Sequence, residues 1–405
     1  MTSLRKTMPA LSNKLYFNYG GQGPLPKPSL LAMIKSWERI QELGPFTSSI
    51  WPYINKEIAS TKQYLASFCN VGINRIALTE NVTSGCVLPL WGIPFSSGDR
   101  LLISDCEHPG VLAACKELAR RQHLFIDILP LRGLRKGAER QEATDQEVLE
   151  TIQKSLKART RLVVISHLLW NIGTIMPIEL IGKLLSESPS HPYLLVDAAQ
   201  SFGQIPIKEA AQHADIYSFT GHKWACGPEG LGGLSVSERI LNEANPTIIG
   251  WRSLKNENIF NLQDIEYFHK DARRFEIATS CIPLLAGLRC SLDLLNNEGD
   301  EDIRLKKIRQ LSHSFWSILQ ENKEIKTLLT GSPPSGIVSF SINKKISTKE
   351  FVKELGNKSI WIRDLENPFC LRACFHITST KLEVIALAKA ISELIAIYQT
   401  NINVK

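Results

Sequence analysis

Two short stretches hold most of the chemistry legible in this 405-residue chain: VDAAQSFGQIPI from Val196, and DIYSFTGHKWACGPEGLGG from Asp215. Asp197 stands at the end of an apolar run, where open α/β sheets place ligand-binding groups, and Gln200 follows it by three residues. A second apolar run, Ile216–Phe219, leads into Thr220-Gly221-His222-Lys223 and a glycine-rich turn. A lysine between His222 and Trp224, just off a buried strand end, sits where water is partly excluded. Partial desolvation lowers an amine's pKa and makes it a usable nucleophile. Taken singly, Asp197 also suits a helix N-cap, Lys223 a surface lysine and His222 a satisfied core histidine. As a set, Asp197 with Gln200 and the Thr220–Lys223 loop some twenty residues on say more than any one of them does alone.

Such a site needs a scaffold, and the middle of the chain supplies one. Aliphatic or β-branched runs at Leu101–Ser104, Leu162–Ser166, Leu194–Val196 and Ile216–Phe219 alternate with helix-like stretches at Gly110–Gln122, Gln146–Lys157 and Ile178–Ser186. That alternation predicts a buried parallel sheet covered by helices, an α/β fold. Past Pro283 the texture changes. Helical stretches at Leu284–Asn297 and Glu301–Gln320 precede a proline-rich break, SPPSG from Ser332, a strand-like Ile337–Ile342 and a final helix at Leu382–Tyr398. The expected organisation is an extended N-terminal arm (1–25) packed on a small α+β C-terminal domain (284–405), with a large domain (26–283) between them in sequence.

Composition bounds the rest. Hydrophobic residues make up 43% of the chain and charged ones 21%, which excludes intrinsic disorder. The most apolar stretch, Val87–Phe95, is about half the length that hydrocarbon requires, so no membrane partner is expected. The charge of +7 is modest and Arg304–Arg309 has the spacing of a solvated helix face, so nucleic acid is not expected either. No secretory signal is read at the N-terminus. Nine scattered cysteines without a CxxC pair argue against a disulfide framework or a metal site and for a reducing, cytoplasmic setting.

With these residues in view, the chain resembles the fold type I pyridoxal 5′-phosphate (PLP) enzymes of the class V aminotransferase and cysteine desulfurase superfamily. The resemblance rests on Asp197-x-x-Gln200 and Thr220-Gly221-His222-Lys223. It also rests on Asn81–Gly85, Glu107-His108, Ser166-His167 through Asn171 to Gly173, PTIIGWRS from Pro246 and RFEIATS from Arg274. It implies a large domain with a mostly parallel seven-stranded sheet, a smaller α+β domain and a homodimer with shared active sites. It further implies that Lys223 holds the cofactor and then acts as base, that Asp197 keeps the ring nitrogen protonated and that Gln200 donates to the ring oxygen. Val82, Thr83, Thr220 and His222 would bind the phosphate, helped by Gly250, Trp251 and Thr279 reaching the neighbouring subunit's site. His108 would stack on the ring and serve as acid. Asn171 would reach cofactor and substrate, and Gly21, Gln22, Arg363 and Arg372 the substrate.

The C-terminal part bears on the reaction. In the large desulfurase subgroup a nucleophilic cysteine rides on a long loop between two arginines. Here the matching arginines, Arg363 and Arg372, bracket a short segment, and Pro368 stands where that cysteine is expected. Cys370 lies two residues before Arg372, so on a strand the two side chains share a face. The motifs DCEHPG, SHLLWN, TGHKW and GWRS are most similar to the bacterial L-cystine/L-cysteine C–S lyases. That implies β-elimination to pyruvate, ammonia and a persulfide or sulfide, with an acceptor protein as a further partner. Ser84, Val87 and Ala225 depart from that branch. Desulfuration, transamination and a non-catalytic sulfur-relay scaffold are the alternatives.

Overall fold

The computed structural model describes residues 2–256, 267–342 and 346–403. Its first strand, β1 (Leu15–Tyr16), belongs to the N-terminal arm. A seven-stranded sheet follows, from β2 (Ile76–Thr79), β3 (Arg100–Ser104), β4 (Phe125–Leu129), β5 (Thr160–Ser166), β6 (Tyr193–Asp197), β7 (Ile216–Thr220) and β8 (Gly232–Val236). Its order is β2-β8-β7-β6-β5-β3-β4. The pairs from β7 through β4 are parallel, whereas β8 runs antiparallel to both β2 and β7.

Side-chain alternation divides the sheet between two apolar layers. Leu102, Val163, Ile165, Leu194, Val196, Tyr217 and Phe219 enter one cluster, while Leu101, Ile103, Leu162, Val164, Tyr193, Leu195 and Ile216 enter another on the opposite face. Helices cover both faces, so the central strands read as continuous apolar runs and are legible in the sequence. Three strands are not. β4 is an edge strand with Phe125 and Ile128 exposed, and β2 is only four residues long. β8 begins Gly232-Gly233, which in sequence resembles a turn. Both glycines are required by close packing, because a Cβ on Gly232 would lie 2.4 Å from the Phe219 carbonyl oxygen and one on Gly233 2.4 Å from the Phe219 ring.

The remaining strands are β9 (Lys326–Thr327), β10 (Ile337–Ser341), β11 (Ile360–Trp361), β12 (Arg363–Glu366) and β13 (Phe369–Cys374). They form an antiparallel sheet, β12-β13-β10-β9, and a two-stranded parallel pair, β1 with β11. The arm is therefore tied to the C-terminal sheet by backbone, and the Cys374 N–H donates to the Phe17 carbonyl at 2.8 Å. It is less extended than expected: Ser3–Lys6 forms a helical turn capped by the Thr2 hydroxyl, and Pro9–Leu11 a 3₁₀ turn. A buried ion pair at 2.7 Å joins Arg5 to Glu383. The helix Pro283–Asn296 packs on Lys27–Leu43 and sends Leu285, Leu288 and Leu292 into the core of the large sheet. The helix expected over Gln146–Lys157 begins earlier, at Gln141, and ends at Ser155. No helix among the described residues is long and apolar enough to cross a membrane.

Candidate active site

The C-terminal ends of three parallel strands assemble the site. The register aligns Ser166 of β5 with Asp197 of β6, and Asp197 with Ser218 of β7. One Asp197 carboxylate oxygen accepts from the Ala199 N–H at 2.8 Å, which fixes the rotamer and leaves the other oxygen free. Val82–Leu90 forms a helix whose N-cap, Asn81, accepts from the Ser84 N–H at 2.9 Å. The Val82 and Thr83 N–H groups belong to the first turn, where a helix has no acceptor of its own. Gly85 lets this helix sit on β7, since a Cβ there would lie 2.1 Å from Ser218 Oγ.

Asn81, Val82, Thr83, Ser166, Asp197 and Ala199 line one cavity of about 190 Å³, together with His108, Leu168, Trp170, Gln200, His222 and Lys223. Burial drives Lys223 down to about 8, the charge of Asp197 opposes that shift, and Arg372 and Arg363 reinforce it. The amine is thus far easier to deprotonate than an ordinary lysine. His222 shares a proton with Thr220 Oγ1 at 2.7 Å, and burial lowers its pKa. His108 caps the helix Pro109–Gln122, accepting the Gly110 N–H on Nδ1 at 3.2 Å, so its neutral form carries its proton on Nε2. Behind His108, Glu107 accepts from Ser166 through both N–H and Oγ at 2.8 Å. Burial, then the charge of Asp197, push Glu107 up to about 7.

Arg372 is 1% exposed, and only Nη1 has a partner, the Trp170 carbonyl at 2.9 Å. Its Nε and Nη2 are buried with no partner among the described residues. These two atoms form the edge that Arg100 uses to grip Asp127 bidentately, at 2.5 and 2.7 Å. Arg372 therefore presents an edge with the geometry of a carboxylate fork. Asn171 is also buried, with Oδ1 unpartnered. Arg363 lies directly opposite Arg372 across the β12–β13 ladder, yet it is exposed. The short segment between the arginines is a hairpin. Cys370 points with Leu365 and Leu328 into a small apolar cluster against Trp170, and burial pushes its thiol up to about 12.

The arm packs behind the lining residues Gln200, His222 and Lys223. Gly23 N–H donates to the His222 carbonyl at 2.7 Å, and a Cβ on Gly23 would lie 2.1 Å from the Lys223 carbonyl. A Cβ on Gly20 would meet Arg372 Nη2 at 2.8 Å. Gly21 donates its N–H to the Asn18 carbonyl, and Gln22 donates to Glu229. Gln200 is already engaged: Nε2 donates to the Gly20 carbonyl at 2.9 Å and Oε1 accepts the Trp224 indole N–H at 2.8 Å. Gly250, Trp251 and Thr279 are not brought to this cavity within the chain. Trp251 and Thr279 instead line a separate cavity with Trp51, Arg252, His269 and Asp271. Sequence reasoning gave no role to Glu107, Trp170 or Gly20. Glu107 has a signal, an acid beside His108 in Asp105–Gly110; the other two become visible only through contacts remote in sequence.

A cofactor with a phosphate, a basic ring nitrogen and an aldehyde fits this donor set. The helix N-terminus and the Thr220–His222 pair suit the first, the free oxygen of Asp197 the second and the depressed amine of Lys223 the third. Among the described residues, no cluster of His, Cys, Asp or Glu is suited to a metal ion.

A family model described as Aminotransferase class-V matches residues 27–388. A "Probable cysteine desulfurase" of Pyrococcus abyssi is 23% identical, with 97% of each chain covered. One of Methanothermobacter thermautotrophicus is 25% identical over 84% of this chain and 81% of that protein. Among solved structures, the cystine C–S lyase C-DES in complex with its reaction product cysteine persulfide is 35% identical. It superposes with a TM-score of 0.88, covering 95% of this chain and 98% of that one. A C-DES mutant with glycine covalently linked to its PLP cofactor is equally similar, at 35% and 0.88, covering 96% and 98%.

Proposed function

The chain belongs to the aminotransferase class-V family, and from that premise we propose that it is a PLP-dependent carbon–sulfur lyase. It acts on L-cystine or L-cysteine by β-elimination, giving pyruvate, ammonia and a persulfide or sulfide. The observation that carries this reading is the β12–β13 hairpin: it leaves no loop to present a nucleophilic thiol, and no cysteine is among the cavity's lining residues. A reaction that needs an enzyme thiol does not suit such a site, whereas β-elimination needs none.

Bound PLP supplies an electron sink for the pair left at the substrate's Cα. Lys223 Nζ would hold the cofactor through its aldehyde and, as a free amine, would take the substrate's Cα proton. Asp197, through its free oxygen, would keep the ring nitrogen protonated. The Val82 and Thr83 N–H groups, with Thr220 and His222, would bind the phosphate. The Nε–Nη2 edge of Arg372 takes the α-carboxylate, and Arg363 at the rim takes a second carboxylate. Asn171 turns its unpartnered oxygen to substrate or cofactor, with Gly21 and Gln22 on the arm behind. His108 delivers its Nε2 proton near the leaving group. A persulfide is more acidic than hydrosulfide and would leave Cβ with little help from an acid, the remaining three-carbon fragment ending, after hydrolysis, as pyruvate and ammonia. Gln200 steadies the Trp224 side chain and has one amide N–H left for the ring oxygen.

We further read the molecule as a homodimer in which Gly250, Trp251 and Thr279 complete the partner's phosphate site. The division into arm, large domain and C-terminal domain at residues 25 and 284, a cytoplasmic setting and a protein acceptor for the persulfide belong to the same proposal. The test is a pair of variants assayed with cystine. Cys370→Ala retains most of the activity and Lys223→Ala loses it; equal loss in both sinks the reading.

A further inference from the structure

Three consecutive carbonyls around Lys223 are held by three different parts of the molecule. The His222 carbonyl accepts Gly23 N–H of the arm at 2.7 Å, and the Lys223 carbonyl accepts Cys226 N–H within its own turn at 3.1 Å. The Trp224 carbonyl accepts from His376 Nε2 at 3.0 Å. A carbonyl oxygen can only accept, so the proton of neutral His376 is on Nε2 and its Nδ1 is a lone pair. Nδ1 therefore receives the Thr378 hydroxyl at 2.9 Å, and Thr378 Oγ1 in turn receives the Tyr19 hydroxyl at 2.6 Å. Every proton in the chain from Tyr19 to Trp224 is thereby assigned a direction.

Tyr19, Trp224, His376 and Thr378 are each at most 1% exposed. The Tyr19 ring stacks on His376 at 4.4 Å and 14°, and on Trp224 at 6.0 Å and 27°. Burial holds His376 at about 3, so it stays neutral at working pH and keeps one donor and one acceptor. The Trp224 indole is held as well, by Gln200. Removing the imidazole leaves a buried carbonyl without a strong donor, since its other partner is the weak Cys226 thiol at 3.8 Å.

We propose that His376 is a positioning residue for Lys223: it fixes the peptide after the lysine by holding the Trp224 carbonyl, and the Tyr19–Thr378–His376 chain makes that placement depend on the docked arm. This rests on the reading of Lys223 as the reactive amine, and it is tested without the reaction. In apo-protein, the Lys223 amine is labelled competitively with acetic anhydride across pH and quantified by peptide mass spectrometry. His376→Leu is expected to loosen the loop, hydrate the amine and raise the labelling midpoint toward the ordinary lysine value. In the loaded enzyme the same variant loses about tenfold in kcat with KM within about twofold, the effect of one hydrogen bond that positions rather than binds. His376→Gln, whose amide N–H can reach the same carbonyl, recovers the wild-type midpoint and most of kcat.

A folded His376→Leu protein with an unchanged midpoint overturns the proposal, as does a glutamine variant no better than leucine. Should the leucine variant not fold, Tyr19→Phe decides: a raised midpoint supports the chain and an unchanged one overturns it. A wild-type enzyme that makes alanine in place of pyruvate sinks the lyase reading while leaving the labelling result intact.

Discussion

Lys223 and Arg372 are the two residues where burial does the chemical work. Water exclusion brings the Lys223 amine down to about 8 despite the nearby Asp197 carboxylate. Only the unprotonated amine attacks an aldehyde, and a lowered pKa puts that form at lower pH. Capture of PLP by the apo-protein, followed by absorbance in stopped flow, is therefore expected to rise with pH through about 8 and level off above it. A rise delayed to the pH of a free lysine would contradict the buried site. For Arg372, the bare Nε–Nη2 edge predicts that Arg372→Ala raises KM for cystine by about 100-fold, a loss of about 2–3 kcal/mol for a charge-assisted pair. Arg372→Lys recovers little of it, because an ammonium cannot reproduce the planar fork.

At the scale of elements, the arm and the β12–β13 hairpin decide what the cavity can do. Gly23 has no room for a methyl group beside the Lys223 carbonyl, so Gly23→Ala is expected to displace the arm and the lysine turn together. Faster tryptic cleavage within residues 1–25 and a kcat reduced by about tenfold or more would register this; an unchanged digest would not fit. Legibility in the sequence follows the same divide. Asp197, Thr220, His222 and Lys223 sit at the ends of buried parallel strands, whose apolar runs announce them. The hairpin reads as a shortened loop because β12 is a four-residue edge strand in which Leu365 is the one buried residue, and its pairing with β13 is not encoded locally. Glycine requirements at β8 and the arm depend on backbones far apart in sequence, and so does the His376 contact.

At the scale of the whole molecule, one chain supplies the lysine, the carboxylate and the helix N-terminus, but it holds Trp251 and Thr279 in a different cavity. Near that second cavity Phe46 is 87% exposed and lies in edge contact with Trp51. A two-fold assembly would cover these rings and carry Gly250, Trp251 and Thr279 to a second site. Sedimentation is accordingly expected to give a dimer that persists on dilution, and Trp251→Ala to weaken PLP retention while sparing the fold; an active monomer would contradict shared sites.

The central claim is elimination without an enzyme thiol, and the products test it most directly. Purified protein loaded with PLP is given L-cystine, and pyruvate, ammonia and alanine are quantified together. The account predicts pyruvate and ammonia in equal amounts, no alanine, and the same ratio from Cys370→Ala. Alanine in place of pyruvate would contradict it.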